Sequence, residues 1–199
     1  MQRSLAPHIE LGHARDAIQQ MRNAHAVDEF EEHWKHFLRR LERVWSKVRA
    51  HYGRSPKFGN WSASFEEARR KDPLLSYLCN ARGAEEHTVT EITDREPGSI
   101  AIGLADGVGV QPDGSVLVKD LRISFGPDDL HVQSAQPLKF AFRAARIRMA
   151  AVTNRGRLYP VPAAHNGHQL DPNDLLDVAN TALAFYANAV AAAEALFAK

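Results

Sequence analysis

From Val27 to Tyr52 apolar side chains recur at alternating spacings of three and four: Val27, Phe30, Trp34, Phe37, Leu41, Val44 and Val48. Leu38, Trp45 and Tyr52 widen the stripe. That period belongs to a long helix with one face buried along its whole length, ending near Gly53. A stripe of that length needs other helices to cover it, which commits the chain to a bundle. The opposite face carries Lys35, Arg39, Arg40, Arg43, Lys47 and Arg49, the composition of a solvated surface.

Other stretches supply the covering helices. Leu11 to His25 reads as a first helix, with Ala14, Ile18 and Met21 on one side. Gly53 to Ala63, GRSPKFGNWSA, has the chemistry of a loop anchored by Trp61, and Ser64 to Lys71 reads as a short helix. Asp72 is placed to cap the next helix, with Pro73 at its first position and Leu74, Leu75, Leu78 and Ala81 as its apolar side. A last helix is expected with Asp171 as its cap and Pro172 at its first position, and its stripe runs from Leu175 to Phe197. Asp177, Asn180, Asn188 and Glu194 interrupt that segment, which makes it amphipathic rather than a membrane span.

After Pro97-Gly98 the period changes to two. Ile100 and Ile102 alternate with small residues, and Asp113-Gly114 between alternating valines signals a hairpin. Leu121, Ile123 and Phe125 alternate again, and further strands are expected over Leu130–Gln133, Leu138–Met149 and Leu158–Val161, with a turn at Asn154-Arg155-Gly156. The predicted fold is α+β: a helical bundle of residues 1–96 and 170–199, with a β-rich antiparallel insertion of residues 97–169 before the last helix, all in one domain.

Lysine and arginine number 25 against 24 acidic residues, so an anionic partner would have to be met by a local patch. Cys79 is the single cysteine, which excludes an internal disulfide and fits a packed thiol in a reducing compartment. The first residues lack an apolar signal core, and the expected location is the cytoplasm without membrane attachment. No phosphate-binding loop, dinucleotide glycine fingerprint, nucleophile elbow or zinc spacing occurs, so neither cofactor nor metal is expected. Glu29/His33 and Glu32/His36 share a helix face, yet a di-iron bundle needs Glu-x-x-His motifs on two helices. The two histidines of His165-Asn166-Gly167-His168 read as incidental to a loop.

Two groups of residues carry chemistry. Arg82 and His87 stand five positions apart: a permanent cation suited to phosphate, and the side chain that titrates near neutral pH. In an ordinary helix Arg82 would instead pair with Glu85 or Glu86, and His87 with Glu91. The second group is Lys139, Arg143, Arg146, Arg148, Arg155 and Arg157, a stretch without an acidic residue in which Phe140 and Phe142 could stack on bases. It is the candidate RNA-binding surface.

A long amphipathic helix, a later helix bearing Arg82-x4-His87 and a terminal bundle helix together resemble the HEPN superfamily. The resemblance covers roughly residues 10–95 and 170–198. It implies a homodimeric helical bundle, in many members a metal-independent endoribonuclease of defence or toxin–antitoxin systems, with RNA as substrate and an antitoxin as protein partner. Arg82 and His87 would then be catalytic, the histidine moving a proton at the 2′-hydroxyl or the leaving oxygen and the arginine stabilising charge on phosphorus. Active members usually carry Asn, Asp or His directly after the arginine, where this chain has Gly83. The alternative is a non-catalytic dimeric module whose β insertion contacts a protein or RNA partner.

Overall fold

The structure, a computed structural model, describes residues 2–87, 91–106, 108, 111, 112, 115, 117–126 and 130–198. Of His87 and Phe125 it describes the backbone. The predicted Asp113-Gly114 hairpin lies outside the described residues. The chain is mixed α and β and divides into two compact units, one of residues up to Glu96 and from Arg146 onward, the other Pro97–Ala145.

Five described helices make up most of the first unit: α1 Ala6–Asn23, α2 Val27–Tyr52, α3 Phe58–Lys71, α4 Pro73–His87 and α5 Leu175–Phe197. The stripe on α2 is the centre of the core. Trp34, Phe37, Leu41, Val44 and Val48 are almost wholly buried, covered by Ala14, Ile18 and Met21 of α1 and by Val178, Ala182, Tyr186 and Val190 of α5. By length and composition α5 could cross a bilayer, but here the side bearing these residues packs in the helical core. The basic face of α2 is more than a solvated surface. Arg40 and Arg43 reach the buried Glu10 of α1 at 3.0 and 3.1 Å, Arg49 reaches Glu66 of α3 at 2.9 Å, and Arg39 reaches Glu85 of α4 at 3.3 Å.

Helix α3 corrects the expected loop. It begins at Phe58, so Gly59, Asn60 and Trp61 are helical. What overrides their weak propensity is aromatic burial: Trp45 lies 4.4 Å from Phe65, 6.1 Å from Phe58 and 6.2 Å from Trp61, ring centre to ring centre. At the other end of the chain, Asp174 rather than Asp171 caps α5, accepting from the Asp177 amide at 3.0 Å. Asp171 and Pro172 instead belong to a turn closed by the Asn173 amide on the Asp171 carboxylate at 2.9 Å.

The boundary of the β insertion falls earlier than expected, at residue 145 and not 169. The single strand predicted over 138–149 is two strands, β5 Leu138–Arg143 and β6 Arg146–Met149, and they pair with different partners. Strand β6 runs antiparallel to β1, Thr93–Glu96, and buries Ile147 and Met149 in the helical core. Two hairpins follow in the same unit: β7 Val152–Asn154 with β8 Arg157–Tyr159, and β9 Ala164–His165 with β10 His168–Gln169. Each turns on a residue pair with positive φ, Arg155-Gly156 and Asn166-Gly167, as a two-residue hairpin requires.

The unit Pro97–Ala145 holds β2 Ser99–Leu104 paired with β5, and β3 Arg122–Phe125 paired with β4 Leu130–Gln133, both antiparallel. None of its described residues is buried.

Candidate functional site

Helix α4 positions the residues singled out for catalysis. Asp72 caps it as the sequence predicts, its Oδ1 accepting from the Leu75 amide at 3.0 Å. The same carboxylate does more: Oδ1 also meets His165 Nδ1 at 3.0 Å, and Oδ2 accepts from the Asn166 amide at 2.8 Å. His165 is therefore not incidental; it ties the β9–β10 turn to the start of α4. Burial opposes charge on Asp72, and the bonds from Asn166, His165 and Leu75 outweigh it, holding the carboxyl below its ordinary value.

Beyond the cap, α4 runs unbroken from Pro73 to His87. Residues five apart on such a helix point ~140° away from each other. Arg82 pairs with Glu86 at 2.6 Å, both side chains about one-third exposed, while Glu85 is taken by Arg39. The bland pairing expected of an ordinary helix is thus the one Arg82 makes; the expected His87–Glu91 pair lies outside the described side chains.

Gly83 neither breaks the helix nor opens it to a partner helix. A Cβ there would come within 2.7 Å of the Asn154 amide nitrogen of β7. That nitrogen donates to Asn80 Oδ1 at 3.0 Å, and Asn80 in turn donates to the Ser76 carbonyl at 2.8 Å. Glycine is what lets the β7–β8 hairpin lie close on α4. Any side chain at this position, including the Asn, Asp or His of the family pattern, has to displace Asn154.

The six candidate RNA-binding residues are divided between the units. Lys139 and Arg143 stand on β5 in the β unit, where Lys139 meets Asp106 at 3.3 Å. Arg146 and Arg148 are in the helical unit on β6, and both pair with Glu96 across the strand ladder, at 2.5 and 2.9 Å. Arg155 is an exposed turn residue, and the Arg157 guanidinium lies 5.3 Å from the Tyr159 ring centre. The stretch is free of acid only in sequence; the fold supplies Glu96 and Asp106 from a distance. Phe140 and Phe142 stack on each other with ring centres 6.4 Å apart.

Cys79 is packed as expected. Its Sγ accepts from Arg69 at 3.0 Å and stands 4.0 Å from the Tyr186 hydroxyl. Burial pushes this thiol up, which keeps it protonated and unreactive at neutral pH. Among the described residues no three His, Cys, Asp or Glu side chains are grouped as a metal site.

Two features escaped the sequence reading: the Asp72–His165 link, and the convergence of Arg69 and Arg70 of α3 with Arg157 of β8. The run Arg69-Arg70-Lys71 directly before a helix cap was the available signal for the second. No family model, curated protein or solved structure matches the chain.

Proposed function

We propose that the chain is a non-catalytic binding module: a HEPN-like helical scaffold, dimeric through its helices and cytoplasmic, that presents its β unit to a protein partner. The observation that carries this reading is the face of the β2–β5 ladder. Ile100 stands opposite Phe142 and Ile102 opposite Phe140, so one face of the ladder is apolar. Phe142 is 75% exposed and Ile100 47% exposed. Ile123 and Leu130 of the β3–β4 ladder line the same groove, whose volume is ≈ 700 Å³. A contiguous apolar face of this kind marks an interaction surface. Its sparse charge suits a protein better than the phosphate backbone of a nucleic acid.

The state of α4 argues against cleavage. Arg82 is engaged by Glu86, Gly83 is closed off by Asn154, and the unbroken helix turns positions 82 and 87 away from each other. A photo-crosslinking residue at Phe142, expressed in the native host, tests the reading. It should give one discrete protein adduct that Ile100→Ser reduces severalfold. RNA adducts, or none at all, would refute it.

A further inference from the structure

The helical unit contains a hollow that the scaffold reading does not use. It is bounded by the last turn of α3, one face of α4 and the β7–β8 hairpin, with a volume of ≈ 290 Å³. Arg69 and Arg70 come from α3, Ser76 and Asn80 from α4, and Arg157 and Tyr159 from β8. Ser76 and Asn80 share a face because they are one helical turn apart.

Charge in this hollow is unbalanced. Arg69 is neutralised by Glu42, and Glu66 on the rim is taken by Arg49. Neither Arg70 nor Arg157 pairs with a carboxylate among the described residues. Arg157 is held in place by its contact with the Tyr159 ring rather than by an acid. Arg69 also leaves its buried Nε–H without a partner inside the protein, a donor that protein folds seldom leave unmet. Arg70 has only a long-range partner in Glu67, and with Arg157 on the same concave wall the excess positive charge favours a bound dianion.

We propose that this hollow is a binding site for a phosphate monoester. Arg70 and Arg157 would clamp the phosphate oxygens by charge-assisted hydrogen bonds, with the Ser76 hydroxyl as a further donor. The Tyr159 ring offers a flat wall to the organic part. The volume lies at the small end of ligand sites, about 300–1,000 Å³, which admits one nucleotide-sized group and no folded nucleic-acid segment. The phosphate could belong to a free ester or to the 5′ end of an RNA, and both present the same chemistry.

Calorimetric titration of the whole chain tests this with adenosine 5′-monophosphate, adenosine, and a 5′-phosphorylated adenosine trinucleotide. The monophosphate should bind one per chain and adenosine should not. Arg70→Ala and Arg157→Ala should each weaken binding roughly tenfold or more, with binding also falling as salt rises. Arg54→Ala, at an exposed position that does not line the hollow, should leave it unchanged. Both test arginines are exposed and, among the described residues, without ion pairs, and matching thermal melts would establish that the variants fold. Equal binding of adenosine and its monophosphate, or affinity indifferent to both arginine substitutions, would overturn the site. Tighter binding of the trinucleotide than of the monophosphate would assign the phosphate to an RNA end; the reverse order would assign it to a free ester.

Discussion

At the scale of single residues the informative position is Gly83. Alanine there gains about 1 kcal/mol of helix propensity but drives into the Asn154 amide, whose hydrogen bond to Asn80 contributes a similar amount. Gly83→Ala alone should therefore be close to neutral. Against an Asn154→Ala background it should stabilise by roughly 0.5–1 kcal/mol, a coupling that urea denaturation of the four proteins measures. Asp72 is the second such position. Losing its carboxylate removes a helix cap and the link to His165 together, and Asp72→Ala should cost roughly 1–3 kcal/mol by the same method. The cap was legible because it depends on Asp72 and its immediate neighbours. The His165 bond was not, because its partner stands 93 residues away.

Elements divide along the same line. The stripe of α2 was readable because about seven turns of helix repeat one period, so local spacing and burial agree. Helix α3 was misread because Gly59 and Asn60 argue locally for a loop, whereas Phe58, Trp61 and Phe65 converge on Trp45 only in three dimensions. Phe65→Ala should lower the unfolding free energy by roughly 3 kcal/mol, since that ring is almost fully enclosed by Trp45, Phe185 and Tyr186. The split of residues 138–149 into two strands was hidden for a related reason: alternation reveals a strand but not its partner. The acid partner of the basic stretch was hidden for the same cause, since Glu96 reaches Arg146 and Arg148 only once β6 pairs with β1.

For the whole molecule, buried and half-buried acids set the response to pH. Burial opposes charge on Glu10, Glu31, Asp72 and Glu194, and in each the bonds from basic or amide partners prevail, so all four carboxyls lie below their ordinary values. A lowered folded-state value means stability that is complete above the ordinary value, 4.5 for Glu and 3.8 for Asp, and is lost as pH falls through the folded one. His36 adds an earlier step. Burial and then Arg40 depress it from 6.5, so the unfolded chain takes up its proton first and stability begins to fall below that pH. Urea midpoints should decline gently from pH 6.5 and steeply below pH 4.5, and His36→Gln should remove the gentle portion. Midpoints unchanged down to pH 3 would contradict this assignment of charge.

The reading as a non-catalytic scaffold rests on α4 being a continuous, internally paired helix at Arg82 and Gly83. The most direct measurement is a gel assay of structured and unstructured RNA in EDTA, with the wild-type chain beside His87→Ala. Both proteins should leave the RNA intact. Cleavage by the wild type that is lost in His87→Ala would contradict the account.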